Sequence, residues 1–143
     1  MAAEIPISQG FAEIVLIVAD VLAAAKFYRD VVGLVPQTEA DTEWAWFWSG
    51  EPGKTQRLAL HCGPLLFEEH SPLPPSQRFG QVHYALAVKR ADLEQAVGKA
   101  RAAGIAVYGP ARFDWMQALS YYFYDLDGNL LEWWSPDIGI ENL

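Results

Sequence analysis

Three residues able to hold a cation or move a proton recur at related places in this chain: Glu13, His83 and Glu132, with Glu68 as a fourth candidate. Glu13 opens an apolar, β-branched run at 13–20, and His83 opens a second such run seventy positions later. A glutamate pointing inward at the head of a buried strand is costly unless it is paired or bound to a cation. The two halves also end alike. Gly63-Pro64-Leu65-Leu66-Phe67-Glu68-Glu69-His70-Ser71-Pro72 stands opposite Gly128-Asn129-Leu130-Leu131-Glu132-Trp133-Trp134-Ser135-Pro136, with one extra residue in the first copy. Both read Gly-x-Leu-Leu, then a carboxylate three residues before Ser-Pro. Each residue taken singly has a plain reading: His83 as a satisfied structural histidine, Glu132 as a salt-bridged strand end, Glu13 as an exposed terminal residue. Their recurrence at equivalent positions favours a shared metal site between two half-domains.

One imidazole with two or three carboxylates is an oxygen-rich donor set. It favours Mn, Mg, Ni or Zn over redox Fe without fixing which divalent ion is held. An ion there would chelate two neighbouring oxygens of a substrate, polarise a carbonyl and stabilise an enediolate. Glu132 or Glu68 would carry the proton.

The elements that must position these residues repeat as well. Residues 13–20 read as a buried strand, Asp20 as the cap of a helix over 21–32, and Gly33 as its stop. In the second half, residues 83–90 read as a strand and 92–103 as a helix that ends at Gly104. Further strand-like stretches lie at 43–49, 56–62, 105–108 and 119–124, and Asp127-Gly128 marks a turn. Each half is therefore βαβββ, module 1 at about 11–72 and module 2 at about 80–136, within one domain spanning 1–143. The linker is the proline-rich stretch 71–77. Strand alternation puts Glu13, Val15 and Ile17 on one face and Ile14, Leu16 and Val18 on the other. His83, Ala85 and Ala87 likewise oppose Tyr84, Leu86 and Val88. The bulkier sets suit a helix-covered side, and Glu13 and His83 fall on the opposite, concave one.

Composition narrows the partners. The chain has 143 residues, 52% of them hydrophobic, and a formal net charge of -8. That balance argues against nucleic acid and against an anionic membrane surface. No apolar run is long enough to cross a bilayer, and residues 1–10 lack the pattern of a signal peptide. A single cysteine, Cys62, permits no intrachain disulfide and fits a reducing cytoplasm. Six Trp among 143 residues is more than a small core needs. Trp46, Trp48, Trp115 and Trp134 are candidates to line a small-molecule pocket. Arg112, in an expected lid loop at 109–116, is a candidate for a substrate carboxylate. The neighbours His61 and Cys62 face opposite ways on a strand, and Ser120 and Ser135 have no nucleophile-elbow context.

The segments 13–34, 83–104 and 123–132 together resemble the vicinal oxygen chelate superfamily, also called the glyoxalase/bleomycin resistance/dioxygenase family. Phe27-Tyr28-Arg29-Asp30-Val31-Val32-Gly33-Leu34 is similar to the end of the family's first helix. Phe123-Tyr124-Asp125-Leu126-Asp127-Gly128-Asn129-Leu130-Leu131-Glu132 is similar to its closing motif, with Leu126 where proline is usual. The resemblance implies an α+β fold: two βαβββ modules in a glyoxalase-like open, curved mixed sheet, with helices on the outer face. It also implies a homodimer. It maps Glu13 to a position usually His or Gln, and His83 and Glu132 to matching ligands. Glu68 maps to a further glutamate, with Glu69 and His70 as alternates across the indel. The implied activity is a metal-dependent isomerase, epimerase or lyase acting on a small vicinal-oxygen or aromatic substrate. Two other readings stay open: a metal-free protein that sequesters an aromatic cation among its Trp residues, and an extradiol-type dioxygenase. Only one of the two histidines of the dioxygenase set is matched, and no basic set for glutathione can be assigned.

Overall fold

The computed structural model describes residues 11–63, Pro74 and residues 83–137. The chain order is β1 (Glu13–Ile17), α1 (Val21–Phe27), β2 (Val35–Pro36), β3 (Trp44–Trp48), β4 (Arg57–His61), β5 (His83–Ala87), α2 (Arg90–Ala102), β6 (Tyr108–Phe113), β7 (Ala118–Tyr124) and β8 (Leu130–Pro136). The eight strands form two four-stranded mixed sheets, ordered β1-β4-β3-β2 and β5-β8-β7-β6. In each, the module's first strand runs parallel to its last and the other pairs are antiparallel. This is the duplicated βαβββ frame.

Asp20 starts α1 by accepting a hydrogen bond from the Ala23 amide at 3.0 Å, which satisfies one of the amides a helix leaves unpaired. The helix loosens into a π-helical turn at Tyr28–Val32 and stops at Gly33, whose φ of 86° favours glycine. The expected alternation holds: Leu16 and Val18 are buried against the helix, while Glu13 and Ile17 are exposed. His83, Ala85 and Ala87 are exposed, and Tyr84, Leu86 and Val88 pack on the core.

The helix-covered sides of both modules share one core. Phe27 of α1 packs beside Phe123 of β7, with ring centres 6.4 Å apart. The Tyr28 hydroxyl donates to Asp125 Oδ2 at 2.7 Å. Asp125 also accepts from the amides of Asp127 and Asn129 and from the Asn129 side chain. A buried carboxylate with four donors is compensated for its lost water, so the closing turn of module 2 is tied to the helix end of module 1.

Three expectations change. Residues 35 and 36, outside every strand expected above, form a short one, because Val35 pairs with Trp48 and Pro36 with Phe47. The expected lid at 109–116 is mostly β6 followed by a 3-10 turn, Asp114–Met116. Both prolines sit on edge strands, where a missing amide breaks no ladder, and at Gly109-Pro110 the register of β6 shifts. Finally, β4 rather than 63–72 holds the place in the first sheet that β8 holds in the second. Ala59 pairs with Val15 as Glu132 pairs with Ala85, so the register equivalent of Glu132 is Ala59. Glu68, Glu69 and His70 lie outside the described residues.

Candidate active site on the second sheet

His83 and Glu132 lie on neighbouring parallel strands, displaced by two residues and on the helix-free face. Their side chains meet, with His83 Nε2 3.1 Å from Glu132 Oε1. The carboxylate is buried and the imidazole is half open, at 7% and 52% side-chain exposure. That difference suits one group held in place and one presented outward.

The other carboxylate oxygen is anchored from β7. Ser120, itself fully buried, donates to Glu132 Oε2 at 2.6 Å. Tyr122, the register partner of Glu132, is hydrogen-bonded to the same carboxylate, and burial followed by the Glu132 charge raises its pKa. The phenol therefore remains a proton donor at neutral pH. Its ring lies 6.2 Å from that of His83. Glu132, His83, Ser120 and Tyr122 thus form one polar network on adjoining strands. Ser120 carries no nucleophile motif in the sequence; the signal that finds it and Tyr122 is the even-numbered alternation of β7 beside β8.

The helix-free face of the first sheet is different. His61 stacks on Trp44 at 3.9 Å, Trp44 stacks on Trp46 at 5.4 Å, and the Arg57 guanidinium caps Trp46 at 5.0 Å. The His61 Nδ1–H donates to the Glu43 carbonyl at 2.7 Å, which fixes the tautomer. His61 is therefore a member of this ladder, and Cys62 is exposed beyond it. Trp48 is half-buried beside Arg57, its register partner, and Trp134 is half-buried opposite Ser120. Trp115 is 81% exposed on the 3-10 turn. Arg112 lies on β6 and grips Asp137 with two bonds of 2.6 and 2.7 Å. Its bonds, then those of Arg90, hold the Asp137 carboxyl down at about 2. The structure thus gives the Arg112 guanidinium an internal partner.

For a divalent ion, the chemistry of the His83–Glu132 pair fits, since an imidazole and a carboxylate are common ligands. The count is short within one chain. Glu13 stands on the other sheet, Ala59 offers no donor, and among the described residues no group of three His, Cys, Asp or Glu could hold a metal. No helix among the described residues is long and apolar enough to cross a membrane.

The comparisons agree with this architecture. The family model described as "Glyoxalase/Bleomycin resistance protein/Dioxygenase superfamily" matches residues 10–133. A lactoylglutathione lyase from Agrobacterium tumefaciens is similar in structure, with a TM-score of 0.68, 24% identity, and 91% of this chain and 96% of that chain covered. A glyoxalase/dioxygenase from Nostoc punctiforme gives a TM-score of 0.69 at 22% identity, covering 96% and 100%. An antibiotic-binding protein from Streptomyces sp. CB03234 gives 0.66 at 18% identity, covering 92% and 99%. At these identities the likeness is one of fold. No curated protein sequence matches the chain. The duplicated frame and the match across nearly its whole length place this chain in the glyoxalase/bleomycin resistance protein/dioxygenase superfamily.

Proposed function

We propose that the chain is a divalent-metal-dependent enzyme of this superfamily, acting as an isomerase, epimerase or lyase on a small substrate with neighbouring oxygens. The observation that carries this reading is the 3.1 Å contact between half-open His83 and buried Glu132. His83 and Glu132 would hold the ion, joined by Glu13 of a second copy in a homodimer, since Glu13 occupies the His83-equivalent position on the other module. The ion would supply charge to stabilise an enediolate. Glu132 would take the proton from a carbon beside a carbonyl and return it to the neighbouring carbon, leaving the electron pair delocalised on the oxygens between the two transfers. Ser120 fixes Oε2, so that Oε1 is the oxygen presented. Tyr122, kept protonated, donates its one hydroxyl hydrogen to the same carboxylate and helps hold it in place.

Mn(II) titration followed by Trp fluorescence tests this. Saturable quenching that a chelator reverses, and that His83→Gln weakens at least about tenfold, is expected. Indifference to Mn(II), Ni(II) and Zn(II) contradicts it.

A second reading, sequestration of an aromatic ligand without metal, is favoured by one observation: on the same sheet the Trp134 Nε1–H is buried and, among the described residues, without a partner. A ligand acceptor there would remove the cost of an unmade hydrogen bond. Quenching by aromatic cations in the presence of chelator is the result expected of that reading.

A further inference from the structure

A cavity of about 1030 Å³ follows β5 between the two modules, the size of a pocket for a small organic molecule. Its apolar walls include Ile14 and Leu58 from the first module and Leu86 and Val88 from the second. Arg57 and His83 both line it. Arg57 is half-buried, its guanidinium lies 5.0 Å over Trp46, and among the described residues its side chain has no ion pair. Glu13, its register partner on β1, is no exception. The nearby Glu51 is engaged by Lys54 at 3.3 Å. A half-buried guanidinium held in orientation by an indole, and without an acid, presents a fork that matches carboxylate and phosphate oxygens.

We infer that this cavity takes a small apolar molecule bearing one anionic group, the anion held by Arg57 and the apolar body lying along β5. Carboxylate, sulfonate and phosphate share the chemistry. The net charge of -8 repels anions from the molecule as a whole, so a preference for anions is a local signature. The inference stands apart from proton transfer at His83 and Glu132, because binding alone is read, without metal.

The test is displacement of anilinonaphthalene sulfonate from the full chain in chelator, using naphthoate and naphthylmethylamine as competitors of like shape and opposite charge. Naphthoate is expected to compete about tenfold better than the amine. Arg57→Met keeps an aliphatic stem of similar length and is expected to lower naphthoate affinity about tenfold, with an unchanged circular dichroism spectrum. Arg57→Lys, which keeps the charge, is expected to retain part of the preference. Equal competition by the amine, or unaltered naphthoate binding in both variants, overturns the inference. A phosphate monoester of the same ring system separates carboxylate from phosphate selectivity within the anion class, and failure of every anion to compete likewise refutes it.

Discussion

The helix-free face of the first sheet is a row of rings, His61, Trp44 and Trp46, closed by Arg57, while that of the second is a polar network around a buried carboxylate. The backbone frames match strand for strand. At the position where the second sheet places Glu132 against Ala85, the first places Ala59 against Val15. Duplication therefore preserves the ladder and lets side chains diverge, since strand pairing is a backbone property and the helix-free face carries little of the shared core. Stacking holds the first face in shape, and charge-assisted hydrogen bonds hold the second.

Breaking the carboxylate should have the largest effect. Glu132→Gln removes the charge while keeping its size, and we expect Mn(II) affinity to fall by at least about a hundredfold; Trp48→Phe on the other face should leave it within about threefold. Calorimetric titration of both variants checks the contrast. Loss on the Trp side alone would reverse the roles of the two faces.

The next effect concerns the seam between the modules. Tyr28→Phe deletes the bond to Asp125 and should cost about 1.5–3 kcal/mol in urea unfolding. Burial, then the neighbouring Tyr84 and Asp125, pushes the Tyr28 pKa far above 10.0. A folded value above the unfolded one favours the protonated native state. That contribution is complete below about pH 10 and is lost as pH rises above it. Phenolate absorbance should therefore show the Tyr28 step together with unfolding, and a free step near pH 10 for all six Tyr would contradict its burial.

Ser120→Ala sharpens the comparison further. It leaves Glu132 Oε2 without its hydroxyl donor and should lower thermal stability by about 1–3 kcal/mol. A gain in stability from this change would mean that the hydroxyl does not orient the carboxylate.

Much of the frame was legible from local chemistry. Asp20 and Gly33 bracket the first helical segment as their types require, and alternation assigned Leu16 and Ile17 to opposite faces. His83 and Glu132 are both candidates from the sequence, and the structure brings their side chains to 3.1 Å. What misled was likeness of letters. The Gly-x-Leu-Leu segment beginning at Gly63 mimics the one at Gly128, yet β4 takes the β8 place in the first sheet, and equivalence belongs to pairing partners. Residues 109–116 read as a lid loop, but an edge strand with a register shift accommodates Gly109-Pro110. Arg112 thereby lies on a strand and grips Asp137. Arg57 and Tyr122 carry no local signal, and Ser120 only a negative one, because their value lies in cross-strand neighbours.

The account's central claim, that His83 and Glu132 of one chain are completed by Glu13 of another, is tested by mixing chains. Glu13→Gln and Glu132→Gln proteins should each fail to bind Mn(II) tightly, and their equimolar co-expressed mixture should recover about a quarter of the wild-type sites, one intact site in each mixed dimer. A co-expressed mixture that contains mixed dimers and still binds no Mn(II) would contradict it.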